Sequence, residues 1–145
     1  MSTKKDKFSQ KDKNFMKLAI RLARARRGLT GDNPSVGCLI VKNDKIISIG
    51  QTGYNGRPHA EHNAIKNSFE ELKGSKMYVT LEPCIMCGGA SYWTQLKKLV
   101  YGAQDIKRGY SQLPENILHP RTQIISGIMA DECSELLRQF FKKKR

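Results

Sequence analysis

Residues 36–69, VGCLIVKNDKIISIGQTGYNGRPHAEHNAIKNSF, set the architecture of this chain. VGCLIVKN and KIISIG are two β-rich runs, and the Asn43-Asp44 pair between them predicts a hairpin. The loop QTGYNGRP leads into HAEHNAIKNSF, whose alanines and Ile65 suit a helix. Upstream, Phe15, Leu18, Ala19, Leu22 and Ala23 recur at helical spacing, and Gly28 stands where a C-terminal cap belongs. Downstream, MYVTL reads as a short buried strand, and CIMCGGASYWTQL begins a helix directly after Pro83. KKLVYGA and TQIISG supply a fourth and a fifth strand. MADECSELLRQFFKKK places Cys133, Leu136, Leu137 and Phe140 on one face of a last helix. Helices alternating with strands predict an α/β three-layer sandwich around a mixed five-stranded sheet, its first pair antiparallel and its later strands joined by helices.

A chain of 145 residues is the size of one domain, so residues 1–145 are expected to fold around a single core. No apolar run approaches the roughly eighteen residues needed to cross a bilayer. The polar N-terminus, MSTKKDKFSQKDKNF, lacks the apolar segment of a secretory signal, which points to a cytoplasmic protein. In a reducing compartment closely spaced cysteines bind metal or do chemistry more often than they pair. Cys84 and Cys87 fit that description, whereas Cys38 and Cys133 read as inert thiols. Lysine and arginine total 26 against 13 acidic residues, with the excess in the first helix region and in FFKKKR. Both a polyanionic partner and a solubilising surface are compatible with that balance.

Two short motifs carry the chemistry. HAE places His59 two residues before Glu61, and PCIMC places Cys84 and Cys87 three apart behind Pro83. Each lies at a strand-to-helix transition, where unpaired N–H groups and the positive end of the helix dipole favour thiolates. One histidine and two cysteines are one ligand short of a closed structural zinc site, leaving a place for water whose pKa zinc lowers toward neutrality. Glu61, spaced away from the metal axis, is positioned to exchange protons with that water and with a leaving group. This pattern resembles the signature of zinc nucleobase deaminases. A closed site completed by His62 or His119 is the structural alternative.

At these residues the sequence resembles the cytidine and deoxycytidylate deaminase superfamily over nearly its whole length. MYVTLEPCIMCGGA, LVYGAQDIKRGYS, GIMADECSELL and FFKKKR are similar to the bacterial tRNA-specific adenosine deaminases, whereas DNPSVGCLIV and GRPHAE resemble the riboflavin-pathway deaminase domain. Riboflavin-pathway enzymes generally carry a longer insert between the zinc cysteines and a fused reductase domain. The resemblance implies one zinc per chain on His59, Cys84 and Cys87, with Glu61 as the proton shuttle. It also implies a reacting centre bordered by backbone groups around Ala60, Pro83 and Cys84. Asn33 is the candidate for a base or ribose contact, with a turn role before Pro34 as its alternative. Thr52 falls where the tRNA enzymes typically carry an asparagine in the base pocket.

The expected substrate is the wobble adenosine of a tRNA anticodon loop, flipped into the site while lysines and arginines hold its phosphates. The second candidate is a diaminopyrimidine ribosyl phosphate. A third reading, from another class, is a silent zinc- and RNA-binding partner subunit, against which the presence of Glu61 argues. The family suggests a homodimer, for which Tyr92 and Trp93 are interface candidates as well as core candidates.

Overall fold

The computed structural model describes residues 8–144, without the side chain of Lys144. The readings of the extreme N-terminus and of the last two residues of FFKKKR, Lys144 and Arg145, fall outside these described groups. The strands are β1 (Gly37–Lys42), β2 (Lys45–Gln51), β3 (Lys76–Leu81), β4 (Lys98–Ala103) and β5 (Gln123–Ser126). The α-helices are α1 (Gln10–Ala25), α2 (Ala60–Asn67), α3 (Ile85–Thr94) and α4 (Ala130–Lys144). The sheet order is β2-β1-β3-β4-β5. β1 runs antiparallel to both β2 and β3, while β3, β4 and β5 are parallel. The predicted mixed five-stranded α/β sandwich is the observed one.

Asn43 and Asp44 both adopt positive φ, 51° and 62°, the conformation of a two-residue hairpin turn whose twist matches the flanking strands. Because side chains alternate along a strand, the central strands feed two cores. Leu39, Val41, Tyr78 and Val100 meet α1 and α4 through Met16, Ile20, Cys133 and Leu136. Cys38, Ile40, Met77, Val79 and Leu99 face the opposite layer, where they meet Ala60 and Ala64 of α2.

Two expectations for α1 are corrected. Its deepest residues are Met16, Ala19, Ile20 and Ala23, with Phe15 and Leu22 only partly buried and Leu18 exposed. The helix is apolar over a wide arc, and contact with β1 and β3 selects the side that turns inward. It also stops at Ala25, capped by Arg26, and Gly28 sits beyond the cap with φ +80°.

The packing that sets the site is α2 on β2. A Cβ at Gly50 would meet the Ala60 carbonyl, so glycine is required for the first turn of α2 to lie directly on the strand. Ser48 reinforces the contact by donating its hydroxyl to the Ala64 carbonyl. Among the described residues no helix is long and apolar enough to cross a membrane.

Candidate active site

Both motifs occupy the first step of a helix. His59 is the N-cap of α2 and makes no side-chain capping bond. Cys84 is the N-cap of α3, and its Sγ accepts the Cys87 N–H at 3.5 Å. The Nδ1 of His59 lies 3.6 Å from the Sγ of Cys84 and 3.6 Å from the Sγ of Cys87. Ligands at ordinary zinc–sulfur and zinc–nitrogen distances in a tetrahedron stand about 3.5 Å apart, so the spacing fits zinc. Among the described residues these three form the one cluster of potential metal ligands, their donor atoms all within 4.8 Å of one another. His62 is exposed, and His119 is occupied elsewhere, its Nδ1 accepting the Arg121 N–H and its ring against Tyr92. Neither closes the set.

The electrostatics suit a cation. Hydrogen bonding from Cys87, opposed by burial and aided by His59, pulls the Cys84 thiol down to about 4, so a thiolate stands ready at neutral pH. The same bond, with burial, pushes Cys87 up, so the pair shares one proton until a metal displaces it. Glu61, in the first turn of α2, is only 5% exposed. Burial raises its carboxyl to about 7, where one side chain both takes and gives a proton at physiological pH.

A cavity of about 250 Å³ opens beside this cluster, lined by His59, Ala60, Glu61 and Cys84. Asn33 and Thr52 are also in its wall. Asn33 donates its amide to the Gly56 carbonyl at 3.0 Å. The buried Thr52 hydroxyl accepts the Val36 N–H at 2.9 Å and donates to the Pro34 carbonyl at 3.2 Å. Both residues therefore brace the loop before β1 as well as facing the cavity. Pro83, expected beside the reacting centre, is buried and not among the residues lining the cavity, and its carbonyl accepts the Tyr110 N–H at 2.9 Å.

Further residues at the cavity were not singled out in the sequence. Asp105, Lys107 and Arg108, from the loop after β4, line it together with Asp32, Glu82 and the half-exposed Phe141 of α4. The run DIKRG lies within LVYGAQDIKRGYS, which in the sequence carries only the family resemblance, and the basic pair following β4 is the signal that could have marked it as part of the cavity.

An α/β sheet that brings one imidazole and two thiols together at two helix N-termini, with a buried carboxylate beside them, defines a zinc hydrolase centre. Residues 9–103 match the cytidine and deoxycytidylate deaminase zinc-binding region, and the chain belongs to that family of zinc-dependent deaminases.

Proteins of two kinds are among its relatives. The chain is 36% identical to riboflavin biosynthesis protein RibD of Aquifex aeolicus, with 90% of this chain aligned to 38% of that protein. It thus spans well under half the length of that relative. It is 35% identical to the diaminohydroxyphosphoribosylamino-pyrimidine deaminase of Buchnera aphidicola, over 93% of this chain and 97% of the other. To the tRNA-specific adenosine deaminase of Haemophilus influenzae it is 34% identical, over 94% and 87%. Among solved structures, the deaminase/reductase of Thermotoga maritima superposes with a TM-score of 0.77 at 31% identity, covering 92% of this chain and 42% of that one. A tRNA:A34 deaminase described in a study of A-to-I editing at the wobble position superposes with a TM-score of 0.68 at 28% identity, covering 85% and 98%.

Proposed function

We propose that this chain is a cytoplasmic, single-domain deaminase that converts adenosine to inosine at the wobble position of tRNA. The observation that carries the reading is Phe141. It comes from the last helix to line the cavity and keeps 53% of its surface exposed, and Lys142 and Lys143 follow it. An aromatic face beside the base cavity, with cations next to it, serves a strand whose neighbouring bases stack and whose phosphates need neutralising. The relatives named as tRNA-specific adenosine deaminases support the assignment.

In this reading His59, Cys84 and Cys87 hold one zinc, which supplies a Lewis acid that lowers the pKa of water at neutral pH. Glu61 takes a proton from the attacking water and delivers it to the ring nitrogen, then carries the second proton, from the new hydroxyl, to the departing amine as the carbonyl forms. One C–O bond forms, the C–N bond to the amine breaks, and ammonia leaves. Ala60 and Cys84 shape the wall that holds the ring, and Pro83 supports the turn that carries Cys84. Asn33 and Thr52 keep the loop before β1 closed over the base and border it there. A homodimer through α3 completes the proposal.

A second reading rests on its own observation. The Thermotoga maritima and Buchnera aphidicola relatives make a diaminopyrimidine ribosyl phosphate the competing substrate. Its single phosphate would sit on Lys107 and Arg108. The test offers the zinc-loaded protein an anticodon stem-loop and the diaminopyrimidine ribosyl phosphate in parallel, following ammonia release and product mass. Inosine in the stem-loop is the expected result. Turnover of the pyrimidine alone rejects the tRNA assignment.

A further inference from the structure

The loop bearing Lys107 and Arg108 is held by a carboxylate that the chemistry does not use. Glu82 follows β3, is 2% exposed, and has no cation against it in any ion pair among the described residues. Its Oε1 accepts the Asp105 N–H at 3.1 Å and its Oε2 accepts the Ser111 N–H at 2.9 Å, so one side chain grips both ends of the loop. Between those ends Asp105 repeats the device, its Oδ1 accepting the Lys107 N–H at 3.1 Å and the Arg108 N–H at 3.0 Å. The Gly109 N–H reaches the Asp105 carbonyl at 3.0 Å, and the Tyr110 N–H the Pro83 carbonyl at 2.9 Å. Gly109 also bridges to Cys84, a residue of the metal cluster.

A buried carboxylate satisfied by backbone N–H groups alone is costly to keep, and its retention calls for a return. Here the return is an ordered exposed loop whose conformational entropy would otherwise oppose binding. Gly109 is a further sign of the arrangement. Its backbone, at φ −63° and ψ 147°, suits any residue, yet a Cβ would run into the Glu82 carboxylate.

We propose that Glu82 is a positioning residue: it fixes the Asp105–Ser111 segment against the metal-ligand turn, holding Lys107 and Arg108 at the cavity in a substrate-ready arrangement. Its role as a determinant of affinity rests on the RNA reading above, whereas the grip on the loop stands apart from it.

The test compares zinc-loaded wild type with Glu82→Gln, which keeps the volume but turns one acceptor into a donor facing a backbone N–H. Two readouts are taken. Without substrate, hydrogen exchange at the Asp105 and Ser111 amides should quicken by about tenfold or more. Tryptic cleavage after Lys107 and Arg108 should quicken with it. With the anticodon stem-loop, KM should rise by about tenfold while kcat and zinc content stay near wild type. Gly109→Ala, which displaces the carboxylate without removing it, should reproduce both effects, and Glu82→Asp should restore part of the affinity. Unchanged exchange in both variants overturns the clamp. Faster exchange with an unchanged KM overturns its role in affinity, as does a joint loss of kcat and zinc. Absence of stem-loop turnover by wild type rejects the RNA reading, while the exchange data still decide the clamp.

Discussion

His59 and Cys84, the N-caps of α2 and α3, face each other with Nδ1 and Sγ 3.6 Å apart. Two helix starts that converge give a metal two donors from separate rigid elements, and Cys87, one turn further along α3, supplies the third. The expected stoichiometry is one zinc per chain as purified. Cys87→Ser should lose the metal and the activity together, since a serine hydroxyl is a far weaker zinc ligand than a thiolate. Elemental analysis of the variant decides this, and full zinc occupancy would remove Cys87 from the site.

Glu61→Gln keeps the shape of the carboxyl and leaves the zinc ligands intact. Activity should fall by about 10²-fold or more, the usual contribution of a general acid–base group. Zinc content and unfolding temperature should match wild type. Wild-type turnover with zinc bound would deny Glu61 the proton.

A buried triad in the opposite core makes stability depend on pH. Asp12 accepts the Tyr78 hydroxyl at 2.6 Å and the Lys98 ammonium at 2.9 Å. Burial pushes the Asp12 carboxyl up, but the bonds from Tyr78 and Lys98 and the charge of Lys98 outweigh it and leave the group below its usual range. A depressed folded-state pKa means the unfolded chain takes the proton first as pH falls. The stabilisation is therefore complete above the ordinary aspartate pKa and is lost as pH drops through the folded value. At pH 7, Asp12→Asn should cost about 3 kcal/mol by leaving Lys98 largely buried without its counter-charge. The gap between variant and wild type in denaturant titrations should narrow toward acid. A gap of constant size from neutral to acid pH would contradict the linkage.

α3 leaves Ile85, Met86, Tyr92 and Trp93 exposed, Trp93 by 83%. Residues seven and eight apart share a helix face, so these side chains form one apolar patch of the kind that marks an interface. Sedimentation should find a dimer, and Trp93→Asp should shift it toward monomer by about tenfold or more in dissociation constant. A wild-type monomer at high concentration would dismiss α3 as the interface.

The hairpin, the two helix starts and the ligand set were legible because each depends on neighbours within a few residues. Asn43-Asp44 specifies a turn locally, and HAE and PCIMC each place their donors within one turn of a helix. The inward phase of α1 was not legible: Leu18 and Met16 are both apolar, and only contact with the sheet leaves one out and brings the other in. Glu82 and Phe141 were hidden for a related reason. Their partners, Asp105 and Ser111 for one and the catalytic cavity for the other, lie far along the chain and meet only after β4 and α4 have packed.

The two substrates separate through salt and through stacking. If the substrate is tRNA, the cations of α1 and α4 neutralise several phosphates and release counterions, so affinity for an anticodon stem-loop should fall steeply and linearly on a log–log plot against salt. Deleting the last four residues should flatten that slope and weaken RNA binding with zinc content unchanged. Phe141→Ala should leave the slope as it was and weaken binding by about 1–3 kcal/mol, the worth of one base stacked on an aromatic ring. A pyrimidine ribosyl phosphate meets one or two cations at most, so its turnover should respond weakly to salt, to truncation and to Phe141→Ala. Filter binding and steady-state turnover measured on the same three proteins across a salt series separate the cases. A stem-loop that shows no saturable binding at low salt and yields no inosine, beside pyrimidine turnover that all three proteins share, would move the assignment to the riboflavin side.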